Sequence, residues 1–179
     1  MSLSNFFKSC GLNSNIEKAE YISETLIDIN PNKCFIIDIL PAVVSKDNGY
    51  KFEQIEKKIY SDLYKKFSKI VEKLWLYDDL FFNSELLHNP KMRRYIPLNK
   101  SSSYKRLINS DKLINYKDIE LLNILSSKDK IDLEYYFYNL QLYMTPTFNG
   151  IFVFINDNDK QGLIKNIINS ENLFLRKID

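Results

Sequence analysis

Apolar residues recur at steps of three and four positions through the longest regular stretch of the chain. They are Phe52, Ile55, Ile59, Leu63, Phe67, Ile70 and Leu74. Such steps place side chains on one face of a helix, and lysines and glutamates fill the positions between them. The pattern predicts an amphipathic helix over 52–74, of about six turns, whose apolar stripe packs on the protein's own core.

A shorter helical pattern precedes it. Ile16, Ala19, Ile22, Leu26 and Ile29 share one helical face. The polar residues 13–15 come just before this face, and their side chains can accept hydrogen bonds from the free N–H groups of a first turn. Pro31 ends the pattern, because proline disfavours helical geometry in the residue before it. We predict a helical N-terminal part over 1–30.

Short runs of aromatic and β-branched residues predict strands. Phe35–Leu40 and Ile151–Ile155 are apolar on both faces, as expected of strands covered on both sides. Ile131–Met144 alternates between apolar and polar positions and then changes phase, which a β-bulge near Asn139 would explain. Leu80–Phe82 has strand character, but polar neighbours shorten it, so its assignment stays open.

The C-terminal sheet-forming part spans 131–179 and ends in a β-α-β unit. Asn149-Gly150 suits a hairpin turn, and Asn158 or Asp159 can cap a helix over Asp159–Asn169 that leads to a last strand, Leu173–Ile178. The whole pattern predicts a single domain over 1–179 with an α+β or α/β fold. Its mixed sheet would be packed by the long amphipathic helix.

The composition indicates a cytoplasmic protein. No apolar run approaches the roughly 20 residues of a membrane span, so we expect no membrane partner. The N-terminus has no basic start followed by an apolar core of signal-peptide length. Cys10 and Cys34 are the two cysteines, too few for a disulfide scaffold, and we expect free thiols.

The residue types needed for common active sites are sparse. His88 is the only histidine and has no neighbouring nucleophile signature. Four glycines form no phosphate-binding loop. Asp78-Asp79 and the run Asn156–Asp159 offer carboxylates, but the run lacks the glycine and distal glutamate of a calcium loop and suits a turn and helix cap instead. We predict no catalytic residue, no metal ligand and no cofactor.

Positive charge is concentrated in the segment 88–117, where helical and strand patterns break down and we expect loops and short helices. Its eight basic residues face one acidic residue, Asp111, for a net charge of +7, whereas the whole chain carries +2 and the remainder therefore −5. The basic residues are Lys91, Arg93, Arg94, Lys100, Lys105, Arg106, Lys112 and Lys117. Asp118 is predicted to cap a short helix that follows.

Tyrosines are interleaved with these arginines, and binding surfaces favour both residue types. The predicted partner-binding residues are Arg93, Arg94, Tyr95, Tyr104, Lys105 and Arg106. The candidate partners are an acidic protein face or a phosphate backbone. A solvated segment whose charge is incidental is the competing interpretation.

The C-terminal third resembles an uncharacterised family of bacterial domains. Those domains end in a strand, an apolar strand with an acidic turn, a helix and a short last strand. The corresponding residues here are Tyr135–Met144, Gly150–Asp157, Lys160–Ile168 and Leu173–Ile178. The family's acidic turn continues Asp-Asp-Arg-Gly, whereas Asn156–Asp159 lacks the arginine and the glycine. The resemblance therefore implies a fold and no functional residues.

In size, in cytosolic character and in the lack of a catalytic constellation, the chain is similar to bacterial immunity proteins. These are small α/β or α+β proteins that neutralise a cognate toxin by covering its active site or docking beside it. The resemblance implies a non-enzymatic binding protein whose partner is a toxin. The alternative is a nucleic-acid-binding protein, or a metal-dependent nuclease with scattered carboxylates, that uses the same segment 88–117.

Overall fold

The computed structural model of the protein describes residues 2–19, 21–41, 48–147 and 150–178, with side chains throughout except at 52–62. The strands in this part of the chain are β1 (Cys34–Asp38), β2 (Leu80–Asn83), β3 (Glu134–Phe137), β4 (Leu142–Thr147), β5 (Gly150–Ile155) and β6 (Phe174–Lys177). They form one sheet in the order β2-β3-β4-β5-β1-β6. The α-helices are α1 (Leu3–Ser9), α2 (Ile22–Ile29), α3 (Gly49–Trp75), α4 (Ser101–Leu107), α5 (Tyr116–Ser126) and α6 (Asn158–Asn169).

β1 lies between β5 and β6, although it comes from the first quarter of the chain. It pairs antiparallel with both neighbours, so β5 and β6 run parallel to each other with β1 between them. α6 connects β5 to β6, which confirms the predicted β-α-β unit and the α+β class of a single domain. The sheet differs from the predicted mixed one, because the inserted β1 makes every pairing among the described strands antiparallel.

The sheet is covered by helices on both faces. Tyr135 and Phe137 point to the face packed by α3, α5 and α6, whereas Tyr136 between them points to the face packed by α1 and α2. Successive side chains of a strand alternate in this way. β5 is buried at every position, as predicted for a central strand.

The long amphipathic helix is confirmed as α3, which runs from Gly49 to Trp75. Leu63, Phe67, Ile70 and Leu74 are at most 1% exposed and belong to the main core. The three earlier residues of the predicted stripe are Phe52, Ile55 and Ile59, and their side chains are not among those that the structure describes.

The helical N-terminal part is divided into three pieces instead of one continuous helix. α1 is followed by a 3-10 helix, Ser14–Lys18, and Ala19 then adopts extended geometry with ψ of 140° before α2 begins. The predicted cap region is confirmed, since the Asn13 side chain accepts a hydrogen bond of 2.9 Å from the Asn15 N–H. α2 ends at Ile29, and its C-cap residue Asn30 precedes Pro31, as expected.

The predicted bulge near Asn139 is wrong. Residues 138–141 form a tight turn between β3 and β4, and Gln141 adopts a positive φ of 49°. The chain reverses there, so Leu142 pairs with Phe137 across an antiparallel hairpin. A reversal changes the phase of the apolar pattern just as an inserted residue would, which is why the pattern alone could not separate the two.

Leu80–Asn83 is a strand, β2, at one edge of the sheet. Its outer side is covered by the chain near Lys112, where Phe82 N–H donates to the Asp111 carbonyl and Leu113 N–H donates to the Leu80 carbonyl, both at 2.9 Å. The segment 88–117 is thereby joined to the sheet.

Gly150 starts β5 with a φ of +133°, a conformation that L side chains rarely adopt. An added Cβ atom would lie 2.7 Å from the carbonyl oxygen of Ile37 on β1. Replacing Gly150 by alanine is therefore expected to lower the free energy of unfolding by about 2–3 kcal/mol, measured by urea denaturation. Asn149, the other predicted turn residue, lies outside the described residues.

Gly162 provides the matched control, because it lies in α6 and an added Cβ atom would meet nothing within 4 Å. Gly162→Ala is expected to raise the free energy of unfolding by about 0.5–1 kcal/mol, since glycine weakens a helix interior. If both substitutions raised, or both lowered, the free energy of unfolding, the strained geometry assigned to Gly150 would be contradicted.

Candidate functional site: a basic and aromatic surface

The segment 88–117 is folded onto the core. It contains two 3-10 helices, Pro90–Tyr95 and Leu98–Lys100, and the helix α4, in agreement with the short helices expected there. Met92, Leu107 and Leu113 anchor it, since each is at most 4% exposed.

Three of the eight basic residues in this segment pair with carboxylates that lie outside it. Lys112 Nζ is 2.6 Å from Asp79, Arg106 binds Asp118, and Lys100 binds Glu120. Five basic residues have no carboxylate within ion-pair distance among the described side chains, namely Lys91, Arg93, Arg94, Lys105 and Lys117. When these three carboxylates are counted with the segment, its net charge is +4 instead of +7.

The Arg106–Asp118 pair fixes α4 against the start of α5. Arg106 donates from Nε and Nη2 to the two Asp118 oxygens at 3.0 and 2.6 Å, and from Nη2 to Ser103 Oγ at 3.1 Å. Asp118 is 1% exposed, and its hydrogen bonds raise the pKa of Arg106. Asp118 therefore does not cap α5 as predicted. Asn115 does, by accepting a hydrogen bond of 3.0 Å from Lys117 N–H.

Two cations converge on the ring of Tyr95. The guanidinium carbon of Arg94 lies 4.7 Å from the ring centroid, and Lys130 Nζ lies 5.1 Å from it. Arg94 Nη2 also donates to Tyr95 Oη at 2.6 Å. We call Arg94, Tyr95 and Lys130 the Tyr95 cluster. Sequence reasoning missed Lys130, because it lies beyond the segment 88–117 and no local pattern connects it to Tyr95.

Residues 95–100 run along α5 in the opposite direction to the helix. Tyr95 lies beside Lys130, just after the C-terminal end of α5, whereas Lys100 pairs with Glu120 near its start. Leu98 in this stretch is 97% exposed, and Ile114 and Tyr116, just before and at the start of α5, are 65% and 57% exposed. We call the exposed residues of 93–100 and 114–117, with Lys130, the basic surface.

The six predicted site residues have different surroundings. Arg94 and Tyr95 belong to the Tyr95 cluster, and Arg93 is exposed beside them. Lys105 is exposed on α4. Tyr104 and Arg106 already bind within the protein, since Tyr104 Oη donates to the Leu87 carbonyl at 3.2 Å. Their part in binding a partner stays a prediction.

The adjacent carboxylates Asp78 and Asp79 have structural contacts. Asp78 is 7% exposed and accepts hydrogen bonds from the N–H groups of Asp79, Asn139 and Leu140 and from the Asn139 amide. It thus holds the β3–β4 turn in place. Asp79 pairs with Lys112 as described above.

The carboxylate run after β5 also serves the fold. Asp157 caps α6 by accepting a hydrogen bond of 2.9 Å from Asp159 N–H, so the cap lies one residue before the predicted ones. Asn156 contacts Lys33 and Gln141. Within the described part of the chain, no group of three or more His, Cys, Asp or Glu side chains is placed to hold a metal ion.

Both cysteines are free and buried in the core between the sheet and α1. Burial raises the pKa of Cys10 to about 11 and that of Cys34 to about 12. Both thiols are therefore protonated at neutral pH, and a protonated thiol is a poor nucleophile.

A hollow of about 510 Å³ lies elsewhere, between the 3-10 helix Ser14–Lys18 and strands β3 and β4. Its lining includes one cation, Lys18, and four carboxylates, which are Glu17, Glu85, Asp132 and Glu134. Burial raises the pKa of Glu134, against the lowering effect of hydrogen bonds from Tyr143 and Asn83. The negative charge of the chain outside 88–117 is thus partly gathered here.

Comparison of the chain with protein-family models, with curated protein sequences and with solved structures finds no match. In the described ranges, no helix has the length and apolar character needed to cross a lipid bilayer. The chemistry of the basic surface is therefore the evidence on which a function can be proposed.

Proposed function

We propose that the chain is a non-enzymatic binding protein of the bacterial toxin-immunity type, which acts in the cytoplasm by occluding a cognate toxin. The observation that carries the proposal is the basic surface, where cations with no carboxylate partner among the described side chains occur with exposed apolar and aromatic side chains. A contiguous patch of exposed apolar side chains marks an interaction site, and the proposal places such a patch around Leu98, which is 97% exposed.

Buried side chains and an ion pair anchor the segment that carries the surface, which favours binding. Met92 and Leu107 are buried beneath it, and the Arg106–Asp118 pair ties α4 to α5. A preorganised surface loses little conformational entropy when a partner binds. The buried, free cysteines agree with a reducing compartment such as the cytoplasm.

A protein partner fits the surface better than a nucleic acid. Interfaces with DNA are more polar and far more positive than interfaces between proteins. Here three of the basic residues are neutralised by carboxylates, and Leu98, Ile114 and Tyr116 add apolar area. An acidic protein face with apolar residues complements this combination.

The five basic residues that have no carboxylate partner in the described part of the chain favour nucleic-acid binding as the second candidate function. Phosphate contacts release counterions, so this candidate requires binding to DNA or RNA that weakens steeply as salt rises. A gel-shift series at increasing salt that shows no such binding would remove it.

The product of the neighbouring gene is the partner to test first. Co-expression of the two proteins is expected to give a stable complex and to protect the host cells from that product. Leu98→Asp is expected to weaken the complex at least about tenfold, because it places a charge at the centre of the contact.

Ile29→Asp is the matched control, since Ile29 is 51% exposed on α2, which covers the other face of the sheet. It is expected to leave affinity and protection unchanged. Absence of both complex and protection in the co-expression would overturn the proposal, and equal losses for the two variants would show that the contact lies elsewhere.

A further inference from the structure

We infer that the Tyr95 cluster is an anion site and that its ligand is a carboxylate side chain of the protein partner. The inference rests on the proposed function for the source of the carboxylate. The site itself follows from the geometry of Arg94, Tyr95 and Lys130.

Two positive charges share one aromatic ring at this position. Arg94 and Lys130 both lie within 5.1 Å of the Tyr95 centroid, and neither has a carboxylate within ion-pair distance among the described residues. The ring face attracts each cation, while the cations repel each other. A bound anion would attract both cations and offset their mutual repulsion. The cluster is therefore a place where negative charge is favoured.

The hydrogen-bonding groups suit an anion with two oxygens. A guanidinium has five N–H donors and an ammonium has three, and the contacts in the cluster engage one Arg94 nitrogen with Tyr95 Oη. The remaining donors can receive a carboxylate in the fork geometry that arginine favours. Tyr95 is 38% exposed, so such a group can reach the cluster from solvent.

The surroundings favour a carboxylate on a protein over a phosphate backbone. Leu98, only three residues from Tyr95, is 97% exposed and offers an apolar contact that a phosphate chain does not need. Lys100 and Arg106, which could have extended a track of positive charge, are neutralised by Glu120 and Asp118. The matching ligand is an acidic side chain with an apolar neighbour.

The test is an NMR titration of the full-length protein with three probes. They are a short peptide of glutamates around one leucine, inorganic phosphate and a short DNA duplex. The peptide is expected to shift the side-chain signals of Arg94 and Lys130, with phosphate and DNA binding more weakly at the same ionic strength. Arg94→Gln and Lys130→Gln should each weaken peptide binding about fivefold, the upper range for exposed ion pairs.

Lys165→Gln is the matched control, since Lys165 is exposed on α6, and it should leave peptide affinity unchanged. Thermal unfolding of each variant confirms that the fold is intact. Equal or tighter binding of DNA at the cluster would overturn the assignment of a protein carboxylate. Peptide binding that does not respond to either substitution would overturn the anion site.

Failure of this inference can be distinguished from failure of the proposed function. If Arg94→Gln and Lys130→Gln weaken peptide binding as expected but leave the complex with the neighbouring gene's product unchanged, the partner's carboxylate does not bind at the cluster and the inference fails, while the function stands. If that product forms no complex with the unaltered protein, the function fails whatever the peptide does.

Discussion

Replacing Asp78 by alanine is expected to lower the free energy of unfolding by about 3–4 kcal/mol, although no binding surface is altered. The carboxylate is 7% exposed and accepts four hydrogen bonds, three of them from backbone N–H groups of Asp79, Asn139 and Leu140. Its removal leaves the N–H groups of Asn139 and Leu140 in the β3–β4 turn without their acceptor, and Leu140 is a buried residue. Urea denaturation measures the loss.

The neighbouring carboxylate supplies the control. Asp79 makes an ion pair with Lys112 in which the side chains are 60% and 42% exposed, respectively. Because solvent screens such pairs, Asp79→Ala is expected to lower the free energy of unfolding by less than about 1 kcal/mol. Asp78→Asn, which keeps one acceptor oxygen, should fall between the two. Similar values for Asp78→Ala and Asp79→Ala would contradict the structural role given to Asp78.

The second large effect is expected at Arg106. Arg106→Gln leaves Asp118, which is 1% exposed, without its bidentate cation. A buried charge that loses its partner destabilises strongly, but the Arg106 side chain is 34% exposed, so water moderates the loss. We expect the Tm to fall by roughly 5–10 °C, measured by differential scanning calorimetry.

A double-mutant cycle separates the pair from other effects of the substitution. Arg106→Gln combined with Asp118→Asn replaces the ion pair by two neutral amides that can still bond to each other. The double variant should recover part of the Tm lost by Arg106→Gln alone. Strictly additive losses would show that the two side chains are not coupled, against the geometry of α4 and α5.

Elements that depend on local periodicity could be predicted from the sequence. α3 follows from its stripe of apolar positions, and β5 from a run that is apolar on both faces. The position of β1 between β5 and β6 could not be predicted, because it depends on contacts between residues more than 100 positions apart. The turn at 138–141 cannot be distinguished from a bulge by the sequence pattern, since both change the phase of the alternation.

The candidate site was predictable in part. The charge of the segment 88–117 can be counted from the sequence, and its arginines and tyrosines predict a binding surface. The pairing of Lys100, Arg106 and Lys112 with acids outside the segment is tertiary and reduces that charge. Lys130 joins Tyr95 only because residues 95–100 run back along α5.

These contacts separate the elements that form the scaffold from the segment that carries the basic surface. The C-terminal part serves as scaffold, since β5 is buried throughout, α6 packs Ile164, Ile167 and Ile168 on the core, and the acidic turn between them caps α6. The basic surface lies on the less regular segment, which the scaffold holds through Met92, Leu107 and Leu113. A rigid scaffold that carries its binding residues on connecting segments is common among binding proteins.

Amide hydrogen exchange on the complex with the neighbouring gene's product tests the binding role of the basic surface most directly. Exchange is compared between the free and bound protein, residue by residue. The proposed function predicts slower exchange on binding at residues 93–100, at 114–117 and at Lys130. Slowing confined to residues around the hollow beside β3 and β4, at 17–19, 21–23 and 132–134, would contradict it. Unchanged exchange across the basic surface in a formed complex would contradict it as well.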